Sequence, residues 1–178
     1  AGNCYGMLMV YSGNFFCEAE RDQYNQTRLL MGLNDELFSY PLAAGDTFTV
    51  PEVILSYSQN GLSALSQQYH NCIRNHVCRS KYVHMSRPVL INSWEAAYFD
   101  FTGETIVNLA KEAASLGIDM VVMDDGWFGK RDDDNSSLGD WYVNEKKLGG
   151  SLSELIRRVH EQGVKFGIWI EPEMVNED

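Results

Sequence analysis

Apolar residues in the second half of the chain gather in three short runs, at 89–92, 118–123 and 164–170. Such runs are typical of strands buried on both faces of a parallel sheet. Apolar residues three and four positions apart predict two helices between the runs. The first has Ile106, Leu109, Ala110, Ala113 and Leu116 before a stop at Gly117; the second has Leu152, Leu155, Ile156 and Val159 after Ser151, which has the capping-box spacing to Glu154. The order β-α-β-α-β over 88–175 predicts parallel strands joined by right-handed crossovers.

The first half of the chain has the turn signals of antiparallel β structure. An apolar and aromatic run at 5–11 precedes a turn at 12–14, and a further strand is predicted from Phe15. A second turn at 43–46 precedes a β-rich run at 47–57, in which Pro51 favours an edge position or a bulge. A helix is predicted from Gly61, and the polar stretch 74–84 predicts a linker. The apolar face of that helix is Leu62, Leu65, Tyr69, Cys72 and Ile73.

Tryptophan and aspartate residues follow the ends of the strands predicted in the second half. Trp94 comes after the first run, Asp124 and Asp125 come directly after the second, and Trp169 lies near the end of the third. Ligands of parallel α/β proteins bind at the carboxyl ends of the strands, so these four residues form the candidate site. A tryptophan ring can cover the apolar face of a pyranose, and carboxylates accept strong hydrogen bonds from its hydroxyl groups. The pattern favours a sugar-binding site.

Each of the four residues also has a purely structural interpretation. Tryptophan is commonly a core residue, and an aspartate at a strand end is commonly a helix cap or a loop residue. Their occurrence at three successive strand ends favours a binding site over four separate structural roles.

Charge and cysteine content narrow the range of partners. The chain has 14 basic and 25 acidic residues, and its net charge of −11 repels phosphate backbones and anionic membranes. We therefore expect neither a nucleic-acid nor a membrane partner. No signal-peptide pattern is visible in the sequence. Four cysteines without a dense framework are typical of free thiols in a reducing compartment, which predicts a cytoplasmic location: they are Cys4, Cys17, Cys72 and Cys78.

Two clusters have residue types that bind metals, yet neither has the spacing of a metal site. In the first, His70, Cys72, His76 and Cys78, only Cys72 and His76 share a helical face. The acidic stretch 132–134 resembles the start of a calcium loop, but Ser137 stands where the glycine belongs and Val143 where the final glutamate belongs. We expect no metal ion and no cofactor.

Four longer motifs resemble microbial α-galactosidases of glycoside hydrolase family 36, in the same order along the chain. They are RPVLINSWEAAYFDF at 87–101, DDGWFGKR at 124–131, SSLGDW at 136–141 and KFGIWIEPEMV at 165–175. The resemblance implies that 1–60 is the end of an N-terminal antiparallel β-sandwich domain and that 61–86 is a linking helix and linker. It also implies that 87–178 is the start of a (β/α)8 TIM barrel. A complete barrel takes about 250 residues, so we expect an incomplete barrel and a segment of a longer protein.

The resemblance implies a retaining, exo-acting α-galactosidase that removes terminal α-galactosyl residues from raffinose-type sugars and melibiose. Asp124 and Asp125 would bind the galactose 4- and 6-hydroxyl groups, and Trp94 and Trp169 would line the pocket. The family's nucleophile and acid/base lie on later strands. We therefore assign no catalytic residue here and expect the segment alone to be inactive.

Other functions are compatible with the same residues. One is a non-catalytic carbohydrate-binding or structural module that folds as it stands. Two others, on the same scaffold, are an α-N-acetylgalactosaminidase and a galactosyl transglycosidase. The expected partner is an α-galactoside oligosaccharide, and the full-length protein is expected to be a homo-oligomer.

Overall fold

The computed structural model describes residues 2–177, which form two compact units. The first unit ends at Met85 and the second begins at Ser86. The strands of the first unit pair antiparallel and those of the second pair parallel, as the apolar patterns predict. None of the described helices is long and apolar enough to cross a membrane.

Two separate pairs of strands make up the sheets of the first unit. Strand β1 (Cys4–Met9) pairs with β4 (Val53–Ser58), and β2 (Phe15–Arg21) pairs with β3 (Thr27–Leu33). The turn predicted at 12–14 therefore lies between strands of different sheets. Sequence patterns missed β3, which follows a turn in which the Asp22 carboxylate accepts hydrogen bonds from the backbone N–H groups of Tyr24 and Gln26, both at 2.8 Å. The strand predicted over 47–57 is wrong for its first half, because pairing with β1 begins at Val53.

One helix packs against the β1–β4 pair. Helix α1 (Leu62–Cys72) continues as a π-helical turn (Ile73–Val77), which occupies the start of the predicted linker. Leu65 is buried, and the hydroxyl group of Tyr69 donates to the backbone oxygen of Ile54 at 3.5 Å. Gly6 permits this approach, because a methyl group on its Cα would lie 2.6 Å from the Tyr69 hydroxyl oxygen.

The second unit has the predicted β-α-β-α-β order with two additional short helices. Strands β5 (Leu90–Asn92), β6 (Met120–Met123) and β7 (Lys165–Ile168) form a parallel sheet in the order β5-β6-β7. Helices α3 (Gly103–Ser115) and α5 (Leu152–Glu161) connect them. The additional helices are α2 (Trp94–Ala97) and α4 (Glu145–Leu148).

The core of this unit lies between the sheet and its helices. Ile106 of α3, Val121 of β6 and Val159 of α5 are fully buried together. Within this chain α3 and α5 cover one face of the sheet, and Leu90, on the other face, is 52% exposed. The cap at Ser151 is confirmed, since its hydroxyl oxygen accepts from the Glu154 backbone N–H at 3.2 Å.

A tight contact between α3 and α4 generates a stability prediction. A methyl group on Gly103 would lie 2.1 Å from the backbone oxygen of Leu148, so a larger residue forces the two helices apart. Gly103→Ala should lower the free energy of unfolding by about 1–3 kcal/mol. Asn108→Ala, at an exposed position of the same helix, should change it by less than about 0.5 kcal/mol. Urea unfolding followed by circular dichroism measures both values, and equal midpoints for the two variants would contradict the contact.

Candidate functional site

The candidate residues follow strands that end at one edge of the parallel sheet. The backbone N–H of Ser93 donates to the oxygen of Val122 at 3.0 Å, and that of Trp169 donates to the oxygen of Met123 at 2.9 Å. These bonds continue the β5–β6 and β6–β7 ladders past the assigned strand ends. The segments carrying Trp94, Asp124 and Trp169 consequently leave the sheet at its carboxyl edge.

Asp124 is held by groups from two neighbouring strands. It is 9% exposed, and its Oδ2 accepts a hydrogen bond from the Asn92 side chain at 2.5 Å. Its Oδ1 accepts from the Asp125 backbone N–H at 2.7 Å, while its own N–H donates to the Ser93 hydroxyl oxygen at 3.0 Å. Asn92 also accepts from the Trp94 backbone N–H at 2.7 Å. A carboxylate has about four acceptor positions, so Asp124 retains capacity for ligand hydroxyl groups.

Asp125 has a different partner, the guanidinium group of Arg131. The two residues are 6% and 4% exposed. Arg131 donates through Nε to Oδ1 at 3.0 Å and to Oδ2 at 3.1 Å, and through Nη2 to Oδ2 at 2.8 Å. The remaining Nη1 donates to the backbone oxygen of Ser136 at 2.9 Å. The carboxylates of Asp124 and Asp125 thus have different side-chain partners, Asn92 and Arg131.

The loop that carries Arg131 is closed at its base by hydrogen bonds. The backbone N–H of Gly129 donates to the oxygen of Tyr142 at 2.9 Å, and that of Asn144 donates to the oxygen of Trp127 at 2.9 Å. Gly129 adopts a φ of 51°, which lets the chain turn back tightly over Ser137. These bonds hold the two ends of the loop together beside the sheet edge.

A second connection ties this loop to the segment after β7. The backbone N–H of Leu138 donates to the side-chain oxygen of Asn176 at 2.7 Å, and the N–H of Asn176 donates to the oxygen of Leu138 at 2.8 Å. Gly139 lies beside this pair, where a methyl group would come within 3.0 Å of Val175. We call this reciprocal pair of bonds the Leu138–Asn176 clamp.

The acidic stretch at 132–134 lies outside the site. Asp132 pairs with the ammonium group of Lys147 at 2.9 Å and its side chain is 75% exposed. The Asp133 carboxylate accepts from the backbone N–H of Asn135 at 2.8 Å. Within residues 2–177, no group of three or more His, Cys, Asp or Glu side chains is arranged to hold a metal ion.

The tryptophans divide into one buried residue and others that remain partly accessible. Trp127 is buried, and its indole N–H donates to the backbone oxygen of Trp169 at 2.9 Å. Trp169 is half-buried, with its ring centroid 6.4 Å from that of Trp141. Trp94 is also half-buried and meets the rings of Tyr98 and Phe99 edge-on, at 5.2 and 5.0 Å. Trp94 and Trp169 thus keep accessible ring surface at the edge that carries the aspartates.

The phenol of Tyr98, beside Trp94, is engaged with a carboxylate. Its hydroxyl donates to Glu95 at 3.1 Å. This hydrogen bond, together with the negative charge of Glu95, raises the pKa of Tyr98. Tyr98 therefore stays a neutral donor near the candidate site.

Sequence reasoning missed the groups that orient the aspartates. Asn92 belongs to a predicted strand and Ser93 follows it, so neither stood out as polar site residues. The sequence could have drawn attention to Arg131 as a partner for an aspartate. It is a basic residue six positions after Asp125, directly before an acidic stretch, in a chain with a net charge of −11. The pairing itself depends on the loop path, which residue spacing does not give.

Comparison with known proteins identifies the family. A family model described as Melibiase matches residues 47–178. The chain belongs to the melibiase family. A second model, described as the glycosyl hydrolase family 36 N-terminal domain, matches residues 1–43. The resemblance to family 36 α-galactosidases that the four motifs indicate is therefore confirmed.

Individual relatives in this family match almost the whole chain. It is 88% identical over 178 residues to the bifunctional alpha-galactosidase/sucrose kinase AgaSK of Mediterraneibacter gnavus and covers 19% of that protein. It is 50% identical over 178 residues to alpha-galactosidase 1 of Pediococcus pentosaceus and covers 24% of it. The melibiase chain described here thus spans about a fifth to a quarter of the length of these relatives.

Solved structures of relatives have the same fold over this length. The galactosidase domain of AgaSK superposes with a TM-score of 0.88, covering 100% of this chain and 25% of that one. The family 36 α-galactosidase AgaA of Geobacillus stearothermophilus is 51% identical, with a TM-score of 0.86, covering 98% of this chain and 24% of that one. AgaA variants, 50% identical, have been solved in complex with raffinose and with stachyose.

The buried ion pair generates a second prediction. Arg131→Met should lower the free energy of unfolding by about 3–5 kcal/mol, because it leaves the Asp125 carboxylate buried without its counterion. The double variant Asp125→Asn/Arg131→Met should lose less than the sum of the two single variants. Arg157→Met removes an arginine from exposed ion pairs and should leave stability nearly unchanged. Urea unfolding of the wild type and of these four variants, Asp125→Asn among them, tests this, and additive losses would show that the two charges do not interact.

Proposed function

We propose that this chain supplies the galactose-binding edge of a retaining, exo-acting α-galactosidase. The full-length protein, of the length of its relatives, would remove terminal α-galactosyl residues from oligosaccharides. One observation carries the proposal: two buried carboxylates with different partners lie at the carboxyl edge of a parallel sheet in a member of the melibiase family. Partly exposed tryptophans follow the neighbouring strands.

The finer architecture is part of the same proposal. Residues 1–60 would be the end of a β-sandwich domain, 61–86 a linking helix and linker, and 87–178 the start of a (β/α)8 barrel. The parallel order β5-β6-β7, with α3 and α5 on one face, supports the barrel assignment. In such a barrel the active site lies at the carboxyl ends of the strands, which is the edge that carries Asp124 and Asp125.

Sugar discrimination would come from the two aspartates. Galactose differs from glucose in the configuration of its 4-hydroxyl group, which the proposal assigns, with the 6-hydroxyl, to Asp124 and Asp125. A buried acceptor that loses its hydroxyl partner is left unsatisfied, so the site would reject the epimer strongly. Trp94 and Trp169 would cover the apolar faces of the ring.

The chemical step is assigned to residues outside this chain. A retaining glycosidase places a nucleophile and an acid/base about 5–5.5 Å apart across the scissile bond. Asp125, paired with Arg131, and Asp124, bonded to Asn92, are both assigned to binding, because the nucleophile and the acid/base implied by the family lie on later strands.

Raffinose-type oligosaccharides and melibiose are the proposed substrates. The complexes of AgaA variants with raffinose and stachyose support this choice. A cytoplasmic location and a homo-oligomeric full-length protein stay predictions.

Substitution of the aspartates tests the proposed function. In the full-length protein, Asp124→Asn and Asp125→Asn should raise KM for an aryl α-galactoside and lower kcat, since charged hydrogen bonds contribute about 1.5–3 kcal/mol each. The matched control is Glu112→Gln, which removes an exposed carboxylate from α3 and should keep wild-type kinetics. Steady-state kinetics on purified proteins decides, and wild-type values for both aspartate variants would overturn the assignment.

The position of Trp169 gives a fluorescence prediction. Galactose stacked on its half-buried ring should change the intrinsic fluorescence of the full-length protein, and Trp169→Phe should remove most of that change. Trp141→Phe, which alters the neighbouring ring packed on Phe128, serves as the control and should retain it. Titration with galactose measures both. An undiminished change in Trp169→Phe would remove this tryptophan from the sugar site.

A further inference from the structure

We propose that Arg131 is a positioning residue for sugar recognition: its guanidinium group fixes the orientation of the Asp125 carboxylate. This inference rests on the proposed role of Asp125 in galactose binding. The guanidinium itself is assigned no contact with the sugar.

The geometry of the pair supports this role. Nε and Nη2 of Arg131 together contact both oxygens of Asp125, at distances between 2.8 and 3.1 Å. Two donors on one rigid plane prevent the carboxylate from rotating about its last bond. The acceptor positions that face away from the guanidinium remain available to hydroxyl groups in a fixed direction. A lysine, with a single ammonium group, cannot impose the same plane.

Arg131 is itself immobilised from several sides. Its Nη1 donates to the backbone oxygen of Ser136, and its own backbone oxygen accepts from Lys147 at 3.4 Å. The guanidinium carbon lies 5.7 Å from the centroid of the Phe99 ring. The arginine is thus anchored to its loop, to α4 and to the segment before α3, so the orientation of Asp125 follows from the folded loop.

The charges around Asp125 explain why a cation is needed there. Asp124 is the adjacent residue and is also buried, so two carboxylates lie close together with little water around them. Lys147 also contacts this loop, through the backbone oxygen of Arg131, but its ammonium group is paired with Asp132. Arg131 therefore balances the charge of Asp125, and without it the buried carboxylate is left without its counterion and without the two donors that orient it.

A purely structural role and a positioning role predict different kinetics. If Arg131 only stabilises the loop, folded variants should bind substrate normally and differ only in thermal or urea stability. If Arg131 positions Asp125, folded variants should show a raised KM, and this effect should disappear when Asp125 has already been replaced by Asn.

The test uses Arg131→Lys, Arg131→Met and the control Arg157→Met in the full-length protein. That protein can be assembled by placing this chain in the matching 178 residues of the Mediterraneibacter gnavus relative. KM and kcat for an aryl α-galactoside are measured on soluble material that has a native circular dichroism spectrum. Arg131→Lys keeps the positive charge and provides a folded variant if Arg131→Met does not fold.

Positioning predicts a KM at least about tenfold above wild type for Arg131→Met, with a smaller change in kcat and an intermediate KM for Arg131→Lys. Combining Asp125→Asn with Arg131→Met should add little to the KM effect of Asp125→Asn alone. Arg157→Met should match the wild type throughout.

A wild-type KM in folded Arg131→Lys and Arg131→Met, beside a raised KM in Asp125→Asn, would overturn the positioning role and leave the proposed function intact. Wild-type kinetics in Asp125→Asn as well would instead remove the proposed function of Asp125. An Arg131 effect equal in Asp125→Asn and wild-type backgrounds would likewise refute action through Asp125.

Discussion

The parallel ladder around β6 is the constraint on which the second unit depends. This strand pairs with β5 on one side and β7 on the other, and the ladder extends to the backbone N–H groups of Ser93 and Trp169. A fixed register obliges three chain segments to leave the sheet at one edge. Polar groups that are distant in sequence, such as Asn92 and Asp124, consequently meet there without a long connecting loop.

The order of helices and strands could be predicted because buried apolar residues recur along the sequence with the period of a helix or a strand. Ile106, Val121 and Val159 carry the helical and strand periods of a sheet covered by helices, and all three are fully buried. In the first unit this periodicity of apolar residues is weaker. Strand β3 is exposed or half-buried throughout, and residues 47–51 have β-type composition but belong to no strand. Composition favours a strand there, but only hydrogen bonding to a partner forms one.

The positions of the candidate residues could be predicted from strand ends, whereas their partners could not. Asp124 and Asp125 are adjacent in sequence, yet one is held by a strand residue and the other by Arg131 in a loop. Successive residues at a strand end point in different directions, so adjacent aspartates reach different surroundings. Arg131 reaches Asp125 because Gly129 turns the loop back, and that path depends on contacts far from either residue.

The Leu138–Asn176 clamp has a consequence for the exchange of loops between relatives. The clamp joins the loop after β6 to the segment after β7. The conformation of each therefore depends on the other, although they belong to different βα units. Recombination that transfers only one of these segments would pair a loop with a foreign neighbour and leave backbone groups unsatisfied. The two loops at this edge should therefore be exchanged together, so that both hydrogen bonds between Leu138 and Asn176 are kept.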